Sequence, residues 1–283
     1  MANAINYATL FMTALDAQMQ QQATTGWMEN NAGQVVYNGG KEIKIPKLSL
    51  DGLGNYDRVG GYPSGAVGLD YETMTMTQDR GKQFLLDSMD VNESNFVVNA
   101  STVMSEFQRL KVIPEVDAYR YSKIAALAIA KGAGYVSGGY TPAVADILSK
   151  LKADITTVQD RIGDIPLVIS MSRATKNILD MSSEITRQLM VTDFKAGQYN
   201  TKASMVDDCP IIPVPSARLK TAYVFNDGKT AGQTAGGFTP DASAKNINWI
   251  ISAQNVPIAV SKTDNMKIFT PEEVQSHDGY LMD

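Results

Sequence analysis

One cysteine, Cys209, and one histidine, His277, are all that 283 residues contain of either type. A lone thiol closes no disulfide within the chain, which suits a reducing compartment. One Cys and one His so far apart do not make a structural zinc site. Any Ser–His or Cys–His nucleophile would have to use His277, and its surroundings, SHDGY, offer no nucleophile on a strained GxSxG turn. Phosphate-cradling motifs are missing too: GGYPSGAVG has glycines, but no Lys–Ser/Thr follows and no helix opens there. Basic charge is not in excess, with 25 Lys and Arg against 30 Asp and Glu, a formal net charge of −5. That disfavours free-standing nucleic-acid binding, which is driven by basic patches. No window reaches the apolar length of a membrane helix, and MANAINYATLFMTALDAQMQQQ has neither the basic start nor the apolar run of a signal peptide.

The remaining candidates for chemistry have plain structural readings. Asp207–Asp208 and Glu272–Glu273 read as solvated carboxylates rather than metal ligands. Asp79–Arg80 in TQDRG reads as an ion pair at a strand end or across a subunit contact. Lys41, Lys44, Lys47 and Lys82 read as exposed. The expectation is therefore no catalytic residues, no metal and no cofactor.

The composition does supply the material of a packed protein: 44% of residues are hydrophobic and 19% charged. Residues 1–40 read as an arm, with Ile5, Leu10, Phe11, Ala14, Leu15 and Met19 at the spacing of a short amphipathic helix. VVYNGGKEIKIPKLSL is extended, and Pro46 argues for an edge strand or a bulge. Six glycines in residues 51–68 mark a long flexible connection. YETMTMTQDRGKQFLLD then alternates as a return strand, with Tyr71 and three threonines on one face and Met74 and Met76 on the other. Residues 41–87 thus read as one long hairpin with a floppy tip. A two-stranded hairpin is marginal in water, so this one needs a surface to lie on.

Phe96, Ala100, Val103, Phe107 and Leu110 repeat by four, three, four and three, one stripe of a helix. The pattern runs from about residue 90 until Gly132 and Gly134, with Pro114 expected to kink or divide it. From Thr141 the texture is mixed. TPAVADILSKLKADI predicts a helix capped by Thr141, IPLVISMS a buried strand and SRATKNILDMSSEI a helix capped by Ser172. CPIIPVPSARL predicts an extended run broken by Pro210, Pro213 and Pro215. TAYVFNDG and the stretch from Asn246 predict further strands. The class is α+β.

Three stretches carry a resemblance to a known family: TMTQDRGKQFLLDSMDVNES (74–94), EFQRLKVIPEVDAYRYSKIA (106–125) and IFTPEEVQSHDGYLMD (268–283). A strand ending in Thr–x–Asp–Arg, an aromatic–x–Leu–Asp run and a helix bearing Pro–Glu–Val–Asp–Ala–Tyr–Arg resemble the major capsid proteins of tailed bacteriophages with the HK97 fold, in the subgroup common in phages of Gram-positive bacteria. The resemblance implies an N-arm at 1–40, an E-loop at 41–87, a peripheral domain with a long spine helix at 88–134, an axial domain at 135–255 and peripheral return strands at 256–283. It implies a shell subunit that assembles into pentamers and hexamers in the host bacterial cytoplasm, enclosing double-stranded DNA in a virion. Lys44, Tyr56, Arg58, Tyr62, Tyr71, Met74, Met76, Asp79 and Arg80 would then form inter-subunit contacts. Phe96, Val103, Phe107 and Leu110 would form the spine-helix core. An arm that starts at Met1 implies a separate scaffolding protein or a segment cleaved earlier; a portal and decoration proteins would be further partners, and a membrane would not. Lysine–asparagine cross-links, known in some relatives, find no matching motif here. Within the same fold the alternative is an encapsulin-like nanocompartment shell. From other classes, an enzyme with an unrecognised site and a tail-tube or adhesin module remain as alternatives.

Overall fold

A computed structural model of the chain describes residues 23–37, 40–87, 100–182, 190–196, 199–261, 268–269 and 279–282. The candidate residues Phe96, Glu272, Glu273 and His277, and the helix expected before residue 20, lie outside that set. In chain order, a 3-10 helix (Gly26–Gln34) leads into β1 (Val36–Tyr37), β2 (Glu42–Leu50), β3 (Val67–Thr75) and β4 (Phe84–Asp87). Next come α1 (Ala100–Phe107), a π-helical segment (Gln108–Val112) and α2 (Ile113–Lys131). Then follow α3 (Ile147–Ile162), β5 (Leu167–Ser172), α4 (Arg173–Asp180), β6 (Met190–Ala196), β7 (Tyr199–Val206) and β8 (Cys209–Val214). The described chain closes with β9 (Tyr223–Phe225), β10 (Phe238–Pro240), β11 (Trp249–Ala253), β12 (Ile268–Phe269) and β13 (Gly279–Met282).

The body is built on a five-stranded sheet in the order β11-β5-β8-β7-β6, antiparallel except for the β5–β8 pair. All six residues of β5, LVISMS, are buried, as expected of a strand covered on both faces. Leu167, Ile169 and Met171 point to one side, where Ile147, Leu151 and Ile155 of α3 and Leu179 of α4 meet them. Val168, Ile212 and Val214 point to the other, against Tyr121 of α2 and Trp27 of the 3-10 helix. Ser172 caps α4 as expected, its Oγ accepting from the Thr175 N–H at 3.1 Å.

Several expectations are corrected. The helix expected from Thr141 starts at Ile147. Asp146 holds the N-cap position without capping it, and its carboxylate accepts from the Tyr140 hydroxyl at 2.9 Å instead. Pro210 and Pro213 do not break the strand, which ends only before Pro215; β8 is central in the sheet. Pro210 is paired only toward β7 and Pro213 only toward β5, so each missing donor has a side on which no ladder is closed. Asp207 and Asp208, at φ 48° and 60°, form the two-residue turn between β7 and β8, a left-handed conformation that Asp tolerates. Pro114 neither stops the helix nor splits it. The π segment before it is closed by the Ile113 N–H bonding to the Gln108 carbonyl, and the wider turn takes up a residue that cannot donate to the carbonyl of Leu110. The same turn shifts the buried stripe, which runs from Met104 to Ile113, Asp117 and Tyr121. Leu110, expected in the core, is 54% exposed, while Val103 and Phe107 are half-buried. Phe107 meets Phe84 of β4 edge-on at 4.9 Å, and β4 pairs with β13, which pairs with β12. Residues 26–34, placed by sequence in an arm, are seated in the body: Trp27 and Met28 belong to the core.

Candidate functional site

The feature with no structural purpose inside the chain is the β2–β3 ribbon. The two strands pair over nine residues, from Glu42↔Thr75 to Leu50↔Val67, and β1 covers only Ile43 and Lys44 at the root. Residues directly opposite each other share a face. Pro46, Leu48, Leu50, Val67, Leu69 and Tyr71 therefore lie together on one side, and Lys47, Ser49, Gly68, Asp70 and Glu72 on the other. The first side is apolar and open: Leu48, Leu50, Val67, Leu69 and Tyr71 are between 54% and 71% exposed. The second is polar toward the tip, with Lys47 and Glu72 paired at 3.9 Å, and carries Ile43, Ile45 and Met74 toward the root.

The expected partition holds over residues 71–75, with Tyr71, Thr73 and Thr75 on the first side and Glu72 and Met74 on the second, and it ends where β3 ends. Met74 lies on the second side, opposite Ile43, and is 37% exposed, while Ile43 and Ile45 on that side are half-buried. Met76 lies beyond the strand, half-buried, its N–H bonded to the Lys41 carbonyl at 2.8 Å. Lys44 shares the face of Tyr71 and is exposed. Leu48, Leu50, Val67 and Leu69, not among the residues expected from sequence, share this exposed face with Tyr71. Their signal was present, as alternation in both strands on either side of the glycine-rich stretch.

Residues 51–66 form the tip, which is less floppy than its glycines imply. Asp57 and Gly61 exchange two backbone hydrogen bonds, at 3.1 and 2.8 Å, with Gly61 at φ 79°. The rings of Tyr56 and Tyr62 lie 4.9 Å apart across this turn, and the Ala66 N–H bonds to Asp51 Oδ2 at 2.7 Å at its base. Arg58, within the turn, is exposed. Tyr56, Val59 and Tyr62 are also exposed, at 60%, 96% and 86%, and Leu53 is fully so.

At the root, β3 ends at Thr75. The predicted single strand over 71–87 is divided: residues 76–83 belong to no strand, and 84–87 join a different sheet. Arg80, expected in an inter-subunit contact, is engaged within the chain. It pairs with Glu115 and donates from Nη2 to the carbonyls of Asn226 at 2.9 Å and Gly237 at 3.2 Å. Asp79 beside it is exposed.

Reactive chemistry is not assembled around the ribbon. Among the described residues no group of His, Cys, Asp and Glu is placed to hold a metal ion, and no helix is long and apolar enough to cross a membrane. Cys209 is buried, its thiol donating to the Asp207 carbonyl at 3.3 Å. Burial, helped by the nearby charges of Asp207 and Asp208, pushes it up to about 11, far from a reactive thiolate.

The molecule therefore belongs to a class of mixed α+β folds in which a compact sheet-and-helix body carries a projecting two-stranded ribbon. A solved chain from Mycobacterium phage Che8 has this fold: it matches 93% of the present chain and 84% of its own length, with a TM-score of 0.55 at 12% identity. No protein-family model and no curated protein matches the chain.

Proposed function

We propose that the chain is the major capsid protein of a tailed bacteriophage, with the HK97 arrangement of arm, E-loop, spine helix and axial domain. In this reading it assembles into pentamers and hexamers of an icosahedral shell around double-stranded DNA. The observation that carries the reading is the ribbon: one face, apolar and exposed from Pro46 to Leu50 and from Val67 to Tyr71, on a fold shared with a phage protein. A contiguous exposed apolar face marks a surface that another molecule covers. Here the cover is a second copy. A ribbon laid on a different surface of the next copy is a head-to-tail contact, and such contacts close into rings when the rotation fits. Each contact is small, but a subunit in a closed shell makes several at once, and simultaneous contacts hold far more firmly than any one. Scaffolding, portal and decoration proteins complete the proposed set of partners.

The test is electron microscopy with light scattering on the purified full chain. Rings or closed shells are expected. A monomer under every salt and concentration tried would refute the proposal. Nuclease-protected DNA inside native particles is the further expected result; a protein cargo in its place would identify a nanocompartment.

A further inference from the structure

Helix α2 is gripped from two sides. Side chains two positions apart on a helix are about 200° apart around its axis. Glu115 and Tyr119 therefore share one face, and Asp117 and Tyr121 the opposite one. The first face holds the ribbon root: Glu115 pairs with Arg80, and Tyr119 shares a 2.7 Å hydrogen bond with Thr77. The opposite face holds the segment that enters the body from the N-terminal side. Asp117, wholly buried, accepts from the Thr25 N–H and hydroxyl at 3.1 and 2.7 Å and from the Thr24 N–H and hydroxyl at 3.2 and 3.0 Å. Arg120, on the flank between the faces, donates to Glu29 at 2.6 Å, and the Tyr121 hydroxyl reaches Thr24 Oγ1 at 3.2 Å.

We propose that these two grips form one coupled clasp, so that loosening the ribbon root loosens residues 24–29, and the reverse. The reasoning is mechanical. A helix moves as a rod, so a roll or shift of α2 that relieves one grip displaces the acceptors of the other. The π segment directly ahead of α2 supplies the joint. It has the less compact hydrogen bonding, and Pro114 has no N–H with which to restore the tighter turn. The order of the N-terminal segment and the angle of the ribbon are then set together by Glu115, Asp117, Tyr119 and Arg120. This goes beyond the assembly reading and does not depend on it.

Hydrogen exchange on the full chain tests the coupling, with wild type and variants compared in the same assembly state. Y119F and E115Q are expected to speed exchange about tenfold at the Met76 amide, which the ribbon root holds on the Lys41 carbonyl, the cost of one hydrogen bond or charged pair. They are also expected to speed exchange measurably at residues 24–29, with β5 and β8 unchanged. E29Q is expected to act in the reverse direction, speeding exchange at 24–29 and, through α2, at the Met76 amide. A change confined in each case to the segment touched overturns the coupling, and so does no change in either segment. Should E115Q loosen the core as well, Y119F decides, because it removes only one hydroxyl.

Discussion

Among single residues, Asp117 carries the most structure. It is a buried carboxylate with four donors from Thr24 and Thr25 and a fifth from Arg218 at 3.2 Å. Removing it leaves donors and a guanidinium without their acceptor, so D117A is expected to lose about 3–5 kcal/mol in urea unfolding. Cys209 makes the opposite prediction, of inertness. With its thiol at about 11 rather than 9.0, the thiolate at pH 8 is about a hundredfold scarcer than in the unfolded chain, at tenfold per unit. Iodoacetamide should label it promptly in urea and hardly at all in the folded protein. The same shift gives a sign for alkaline stability. The folded state favours the neutral thiol, so its contribution is intact below pH 9 and disappears as pH rises through about 11. A thermal melt series from pH 8 to 11 should show that decline, and C209A should show less of it. The motif PEVDAYR was legible in the sequence only as texture. Its residues are spaced to bind segments some 35 and 90 positions earlier in the chain, namely Arg80 with Glu115 and Thr25 with Asp117. No local pattern announces such partners.

Elements were legible where local pattern and environment agree. LVISMS is an unbroken apolar run because both faces of β5 are covered, and Ser172 caps α4 because the bond it makes is three residues away. They were illegible where the answer depended on pairing. Pro213 looks like a strand breaker until the pairing of β8 with β7 is seen to end at Ser204↔Ile211. Leu110 looks like core until the π turn moves the stripe to Ile113. The ribbon belongs to both groups: its strands were legible, but its apolar face required the register that sets Leu48 opposite Leu69. That face makes a double-edged prediction. L48S/L69S should change the stability of the unassembled chain by less than about 0.5 kcal/mol, since neither side chain is buried there. It should nonetheless abolish assembly, as read by sedimentation. Replacing residues 51–66 by Asn-Gly joins Leu50 to Val67, the last register pair, through a favoured two-residue turn. The shortened chain should melt at the wild-type temperature and form fewer particles.

At the scale of the molecule, the core and the ribbon obey different rules. The core is complete: β5 and β8 are sealed by α3 and α4 on one side and by α2 and the 3-10 helix on the other. The ribbon leaves its outer edges as unsatisfied as its apolar face. Among the described residues, β2 has no neighbour on its outer side beyond Lys44, and β3 has none along its length. The Lys41–Met76 bond fixes the alternation, so the even-numbered residues of β2 direct their backbone groups outward, and Pro46 falls among them. Proline there removes one donor from an open row that would otherwise template another strand. P46V is accordingly expected to raise thioflavin-positive aggregation of the unassembled chain while leaving its melting temperature nearly unchanged. On the proposed reading, a single imino acid on the rim of the ribbon steers growth away from fibrils: the broad side stays free to dock while the margin is a poorer template for another strand.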